Sequence, residues 1–427
     1  MRSRFIAGVS ILLILSMVIM AGCSNSSAGN DGKVTIDFWY TWGGDEAEEM
    51  KKLIKEYNDS QDEVFVKGLS QGDVQKQMTS IVGGNPPDLA SHPDENKIAT
   101  WAERGAITPL DEFIEKDKYD MEDFLPAARA AVQYEEKTYA LPIVMNTWML
   151  YYNKDLLEEA GLDGPPETVQ ELEEYNEKLS VVKDGRIERL GIWPAGNPYM
   201  WMNAFGGQLW DAEKKEVAVL EPGFKNTMEL NKRMWDMFGS DAIDRMASAE
   251  GQYDSAQNSF FTGKYAMSFD GEWLATFIKR YAPNFNYGIA PMPYDANNPE
   301  TKNSGFINVG TLYIPKGASH PEEAWDFLSW LTEKEQMVKF AASLGNLPTR
   351  TSAVDDPIFD DVPEYDTFMN YVVNGNMQSV PSVPFLEEFL QEVWTVQDEI
   401  MRDKVSVDEG LQKIKDKIQP IADEKNQ

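Results

Sequence analysis

Between Lys33 and Ser91 the hydrophobic period of this chain switches repeatedly, and that alternation narrows the fold more than any other feature. In "KVTIDFWY" Val34, Ile36 and Phe38 alternate, which predicts a strand. The Gly-rich turn "TWGG" follows. In "DEAEEMKKLIKEYN" Met50, Leu53, Ile54 and Tyr57 then fall at helical spacing behind an acidic first turn. "EVFVKGL" reads as a second strand, and "DVQKQMTSIVGG" as a second helix carrying Val74, Met78 and Ile81 on one face. "NPPDLAS" supplies a loop and a short strand. Strand, helix, strand, helix, strand within roughly sixty residues is the pattern of a doubly wound α/β lobe, in which each helix carries the chain back to start a parallel neighbour.

Farther on, an extended apolar segment, "TYALPIVMNTWMLYY", leads into a helix ended by Gly161. Pro165-Pro166 and Thr168 prime the next helix, with Thr168 as its N-cap. Ser319 and Glu322 read as a capping box ahead of the apolar face Ala324, Leu328 and Leu331. Two helices close the chain, the last with Val407, Leu411, Ile414 and Ile418 in register. About 395 residues exceed one α/β domain, so two lobes are expected.

Ahead of this body, Arg2 and Arg4 precede an apolar run from Phe5 to Met20, the layout of a secretory signal segment over residues 1–22. Met20-Ala21-Gly22-Cys23 resembles a lipoprotein signal-peptidase box, with Met where Leu is usual. The expectation is that Cys23 is acylated, palmitate included, and that residues 23–32 tether a lipid anchor to the body on the outer face of the cell membrane. The plainer alternative is a secretory peptide with a stray cysteine. Cys23 is the only cysteine, so no disulfide framework is possible and stability has to come from a buried core. The formal net charge is −32; without Arg2 and Arg4 it becomes −34, a balance that repels nucleic acid and anionic headgroups.

Catalytic material is scarce. His92 and His320 are the only histidines, which leaves little for a zinc site or a nucleophilic triad. No phosphate-binding loop, dinucleotide fingerprint or nucleophile elbow occurs, and no cofactor is expected. Asp270 and Glu272 are the nearest approach to a glycosidase pair, yet 71 acidic residues make such proximity unremarkable. Aromatic and amide clusters stand out instead: Trp39, Tyr40 and Trp42; "WPAGNPYMWMNAFGGQLW"; and "FDGEW". Aromatic faces beside Asp, Glu, Asn or Gln suit a carbohydrate, whose C–H faces stack and whose hydroxyls need directional partners. Each aromatic taken singly fits a core better than a binding face; it is their clustering with Gly, Asn and Pro that favours a ligand.

Taken in order, "GGNPPDLAS", "YALPIVMNTWMLYYNKDLLEEAGLDGPPET", "FFTGKYAMSFDGEW", "YGIAPMP", "GTLYIPKGASHPEEAWDFLSWL" and "GNLPTR" resemble the extracellular solute-binding proteins of sugar-importing ABC transporters, the maltose-binding-protein-like group. The resemblance implies two doubly wound α/β lobes of the periplasmic-binding-protein type, joined by a hinge of two or three crossing segments, with a ligand cleft between them. Residues 33–145 plus 305–350 would form lobe I, and 146–304 plus 351–427 lobe II. It also implies a monomer that hands its ligand to the permease subunits of an ABC importer.

Carried over position by position, Trp273 matches the family tryptophan that stacks on a sugar ring, with Asp270 and Glu272 as hydroxyl partners. Tyr199, in "NPY", takes the place of a cleft tyrosine, with Trp201 beside it. Asn146 stands where the maltose-type proteins carry an acidic cleft residue. His92, Asp94 and Glu95 occupy a loop that supplies sugar contacts, His92 in place of an aromatic. Trp42 and Asn308 face the cleft by the same analogy. For the C-terminal stacking aromatic, Phe385 and Glu387 are the nearest positions. The reading is a receptor for a sugar, with an oligosaccharide expected. The alternatives are the same fold binding a polyol, a glycerophosphodiester or another small solute, and, more remotely, a secreted glycan-cleaving enzyme.

Overall fold

The computed structural model describes residues 32–425; the signal segment, Cys23 and nearly all of the expected tether lie outside them. The opening alternation folds as its periods predict. Strand β1 (Val34–Tyr40) is followed by helix α1 (Gly44–Ser60), β2 (Val64–Ser70), α2 (Val74–Val82) and β3 (Leu89–His92). The stripe Met50, Leu53, Ile54 and Tyr57 of α1 is buried. Both β2 and β3 run parallel to β1, which lies between them.

After β3 come α3 (Ile98–Glu103) and the long β4 (Leu141–Asn153). Next are α4 (Val169–Leu179), the one-turn α5 (Pro198–Trp201), α6 (Pro222–Asp236), β5 (Met267–Gly271), α7 (Trp273–Tyr281) and β6 (Tyr287–Ala290). The chain then returns through β7 (Ser304–Tyr313), α8 (Pro321–Leu331), α9 (Lys334–Leu344), α10 (Tyr365–Asn374) and β8 (Asn376–Gln378), and ends in α11 (Leu386–Met401) and α12 (Val407–Lys425). The strands form one eight-stranded sheet in the order β5-β4-β7-β3-β1-β2, with β6 added to β4 and β8 to β7.

Two strands are long because each serves two neighbourhoods. Residues 141–147 of β4 pair with β7, and residues 148–153 pair with β5 and β6. Strand β7 continues from β4 to β3 on one side and takes β8 at its start. The largest apolar cluster gathers β1, β2, α1, α8 and α9, and the buried faces of α7 and α10 also enter it. Separate clusters form beneath α6, α11 and α12, and beneath α4 and the Trp201 segment. Leu411, Ile414 and Ile418 of α12 are all fully buried.

Local signals are realised unevenly. Thr168 caps α4 through the N–H of Glu171 while the Glu171 carboxylate accepts from the Thr168 N–H, a complete capping box. The box expected at Ser319 and Glu322 does not form: α8 starts at Pro321 with His320 at its N-cap and no side-chain cap. Proline preset for the first helical position moved the start one residue past the serine's reach. Among the described residues no helix is long and apolar enough to cross a membrane. Replacing Thr168 with Ala is expected to lower unfolding stability by about 1 kcal/mol, read from the urea midpoint, because one orphan donor of α4 loses its acceptor.

Candidate functional site

The midpoints of β4 and β7 lie side by side, and Asn146 stands opposite Asn308 across them. Next to this pair, the junction of β5 and α7 brings in Glu272. Its Oε1 accepts from Asn146 Nδ2 at 2.5 Å and its Oε2 from the Thr147 N–H at 3.3 Å. On the other side the turn after β3 brings in Glu95, whose Oε2 accepts from the Val309 N–H at 2.8 Å. Glu95 Oε1 is buried and has no hydrogen-bond partner among the described residues. Asn308 is half-buried, and its amide makes no hydrogen bond there either.

Burial dominates the electrostatics of these acids. It pushes Glu272 and Glu95 each up to about 8, against the pull of the donors named above. Asp270, at the end of β5, is pushed up to about 7, although Tyr253 Oη–H at 2.5 Å and the Gly271 N–H at 3.0 Å both donate to its Oδ1. Glu272 and Glu95 are thereby held largely as neutral acids at neutral pH, whereas Asp270 sits near its midpoint.

Above this polar floor runs a connected series of aromatic rings. Trp273 meets Trp148 at 5.6 Å between centroids with planes 86° apart. Trp148 meets Phe306 at 5.8 Å, Phe306 meets Tyr199 at 5.7 Å, and Tyr199 meets Trp394 at 6.1 Å. Edge and tilted contacts of this kind suit the ring quadrupoles and hold the faces in fixed directions. Phe306 is buried; Trp273, Trp148 and Tyr199 are half-buried; and Trp394 is 41% exposed. Burial raises the Tyr199 hydroxyl above its usual range, and the charges of Asp94 and Glu95 add to that, so the Asp94–Glu95 turn lies within its field. Behind the series a cavity of about 300 Å³ is lined by Trp148, Trp201, Phe269 and Met292 among others.

The same turn is tied to the C-terminal helices. Lys97 pairs with Glu387 at 2.8 Å and Thr100 Oγ1 donates to the Pro384 carbonyl at 3.1 Å. Lys425 pairs with Glu103 at 2.7 Å. Helix α11 therefore meets the Asp94–Glu95 neighbourhood at its first turn and carries Trp394 farther along. Among the described residues no group of three or more His, Cys, Asp or Glu side chains is placed to hold a metal ion.

Residues 43–338 match the model of a protein family described as bacterial extracellular solute-binding protein. The chain belongs to that family. Among curated proteins this solute-binding chain is 27% identical over 387 residues to the maltotriose-binding protein of Pyrococcus abyssi, covering 88% of this chain and 79% of that one. It is 26% identical over 411 residues to the sn-glycerol-3-phosphate-binding periplasmic protein UgpB of Escherichia coli, covering 84% and 88%. Among solved structures it resembles CpMnBP1 with mannotriose bound, with a TM-score of 0.78 and 27% identity over 91% of this chain and all of that one. The fold is that of the maltose-binding-protein-like binding proteins, and these relatives are receptors for solutes, as the sequence motifs implied.

Within this family frame the expected site residues divide into two groups. Trp273, Tyr199, Asn146, Asn308, Asp94 and Glu95 come together around the floor and the ring series. Trp42 is 7% exposed and packs edge-on against Phe340 at 4.8 Å, inside the core of the first lobe, where α9 covers the turn expected to face the cleft. His92 is buried edge-on against Trp101, with Nδ1 at 2.7 Å from the Asp94 carbonyl oxygen; it shapes the turn and presents no face. Trp201 is buried against Phe269 at 4.6 Å and lines the rear cavity. Both oxygens of Glu272 and Oδ1 of Asp270 are already engaged by protein donors, which leaves fewer of their lone pairs for a hydroxyl. Phe385 is buried against Trp210, and Glu387 is engaged by Lys97.

Four residues of this region escaped the sequence reading: Trp148, Phe306, Tyr253 and Trp394. Trp394 did leave a signal. It falls off the apolar stripe Phe389, Val393, Val396 and Ile400 of its own helix, so its ring could not be core of that face. Trp148 and Phe306 left none, being apolar residues in strands whose neighbours are also apolar.

The raised carboxyls set a pH dependence. A group whose pKa is higher folded than unfolded keeps its full stabilising effect below the unfolded value and loses it as pH rises through the folded one. For Glu272 that window runs from 4.5 to about 8. Unfolding stability is expected to fall across it, by up to about 1.4 kcal/mol per pH unit for the one proton involved. Glu272→Gln should show a shallower fall in urea midpoints measured from pH 5 to 8; an unchanged slope would refute the assignment.

Proposed function

We propose that the chain is a cell-surface receptor that binds an oligosaccharide over the Trp273–Trp148–Phe306–Tyr199–Trp394 series and delivers it to the permease subunits of an ABC importer. The observation that carries this reading is the length of the ring series. Adjacent centroids are 5.6 to 6.1 Å apart; with Phe306 as a buried link, the partly exposed Trp273, Trp148, Tyr199 and Trp394 offer stacking surface to more than one sugar ring. Asn308, Asn146 and the Asp94–Glu95 turn supply hydroxyl partners beneath it. The maltotriose-binding relative and the mannotriose-bound neighbour support a ligand of this class.

In this proposal residues 33–145 plus 305–350 form lobe I and residues 146–304 plus 351–427 lobe II, with α10 leaning its buried face into the first cluster. Strands β4 and β7 and the segment before α11 are the crossings, and closure brings the Asp94–Glu95 turn onto the rings. Acylated Cys23 anchors a monomer to the outer face of the membrane. The protein acts as a carrier and transforms nothing: Asp270 and Glu272 are braced by protein donors in place of being presented to a scissile bond.

The glycerol phosphate relative favours a second reading, a small phosphorylated solute. A phosphate oxyanion needs Arg or Lys partners or free backbone N–H groups, whereas the groups gathered here are carboxyls and amides and the nearby Lys97 is committed to Glu387. Thermal-shift titration with maltotriose, mannotriose and sn-glycerol 3-phosphate decides between them, since a cleft ligand raises the melting temperature by mass action. A shift with a trisaccharide and none with the phosphate is expected; the reverse pattern would replace the carbohydrate reading. Trp273→Ala should weaken binding of the responding trisaccharide by about ten- to a hundredfold in calorimetric titration, with the melting temperature of the free protein retained.

A further inference from the structure

Tyr253 lies in the segment 248–266, which contains no helix or strand. Its residue surface is 46% exposed, yet its hydroxyl is doubly engaged. It donates to Asp270 Oδ1 at 2.5 Å and accepts from Trp273 Nε1–H at 2.6 Å. The ring of Tyr253 rests edge-on against Phe277 at 5.7 Å, and Asn258 Nδ2 holds its backbone carbonyl at 2.8 Å. Asn258 is itself buried and accepts from the Phe260 N–H, so the irregular segment is braced where Tyr253 leaves it.

The Trp273 ring is confined from two further directions. It lies so close over Gly271 that a Cβ there would come within 2.2 Å of the six-membered ring. Trp148 meets it edge-on. Gly271 fixes the height of the ring and Trp148 one edge. The Nε1–H contact to Tyr253 adds the one directional hydrogen bond on the ring and fixes which way its N–H edge faces.

We propose that Tyr253 is a positioning residue that pins the Trp273 indole as a stacking platform, with Asp270 serving as the fixed post to which the pin is fastened. The inference rests on the carbohydrate reading for its functional consequence, but the pin itself is a property of the free protein. It also gives Asp270 a role: its oxygen orients the phenol that orients the indole. A ring already held in its bound orientation loses little rotamer freedom when a ligand stacks on it, which is the benefit of preorganisation.

The test uses the full mature chain, labelled with ¹⁵N at tryptophan, and the Tyr253→Phe variant. The Trp273 indole signal is assigned by its absence from Trp273→Phe. In Tyr253→Phe the signal should move upfield and its N–H should exchange faster with solvent, while the melting temperature is kept. Affinity for whichever of maltotriose and mannotriose binds the wild type should fall about tenfold. An indole signal that stays in place overturns the pin, with no reference to any sugar. A moved signal with unchanged trisaccharide affinity overturns its role in binding. If neither trisaccharide binds the wild type, the carbohydrate reading fails and the indole signal alone decides the pin. Should Tyr253→Phe fold poorly, the wild type still decides: its Trp273 N–H should exchange more slowly than that of exposed Trp394, and equal rates would count against the pin.

Discussion

The antiparallel pairing of β4 with β7 is the interaction on which the rest of the molecule depends. It is the point where the parallel β1–β2–β3 region and the antiparallel β5–β6 region become one sheet. Backbone ladders are stiff, and both strands are buried along most of their length, so the relative positions of Asn146, Thr147, Asn308 and Val309 are set by the ladder. Glu272 and Glu95 approach it from opposite sides and fasten onto it, one through Asn146 and Thr147, the other through Val309. The floor of the site is therefore part of the sheet, and so are Trp148 on β4 and Phe306 on β7, whereas Tyr199, Trp273 and Trp394 come from helical segments that pack against it.

That arrangement explains why three acids tolerate burial. Each has donors on at least one oxygen, which offsets part of the desolvation, and burial raises each well above the usual carboxylate range, Glu95 and Glu272 to about 8 and Asp270 to about 7. Glu95 stands apart in geometry, because its second oxygen is buried and left without a partner among the described residues. A buried polar atom of that kind costs stability unless something completes it, and it lies beside the ring series.

The sequence disclosed what is local and concealed what is tertiary. The alternation from Val34 to His92, the stripe of α1 and the Thr168 cap are set by neighbours within one turn or one crossover, so period and spacing sufficed. The Ser319 box failed locally too, because a proline competed for the helix start. Trp42 was misread since its burial depends on Phe340, far along the chain, and His92 since Trp101 covers it. The ring series draws on five segments between residues 148 and 394, and no spacing rule connects them. Family resemblance points to Trp273 and Tyr199, which stand in that series, and to Phe385 or Glu387, which do not; Trp394, which does, has no counterpart in the resemblance.

Tyr253 takes up the one directional donor that Trp273 possesses. What Trp273 can offer a guest is then dispersion and C–H contact across a flat face, which depends on the presence of an apolar face and hardly on which hydroxyls stand axial or equatorial around it. For the carbohydrate proposed above, discrimination between epimers would then reside in Asn146 on β4, Asn308 on β7 and the carboxyls that approach them. In the proposed carbohydrate site grip and stereochemical choice would thus be separate: the ring faces would supply the first and the polar floor the second, so that a change in the floor alone would redirect selectivity without rebuilding the platform.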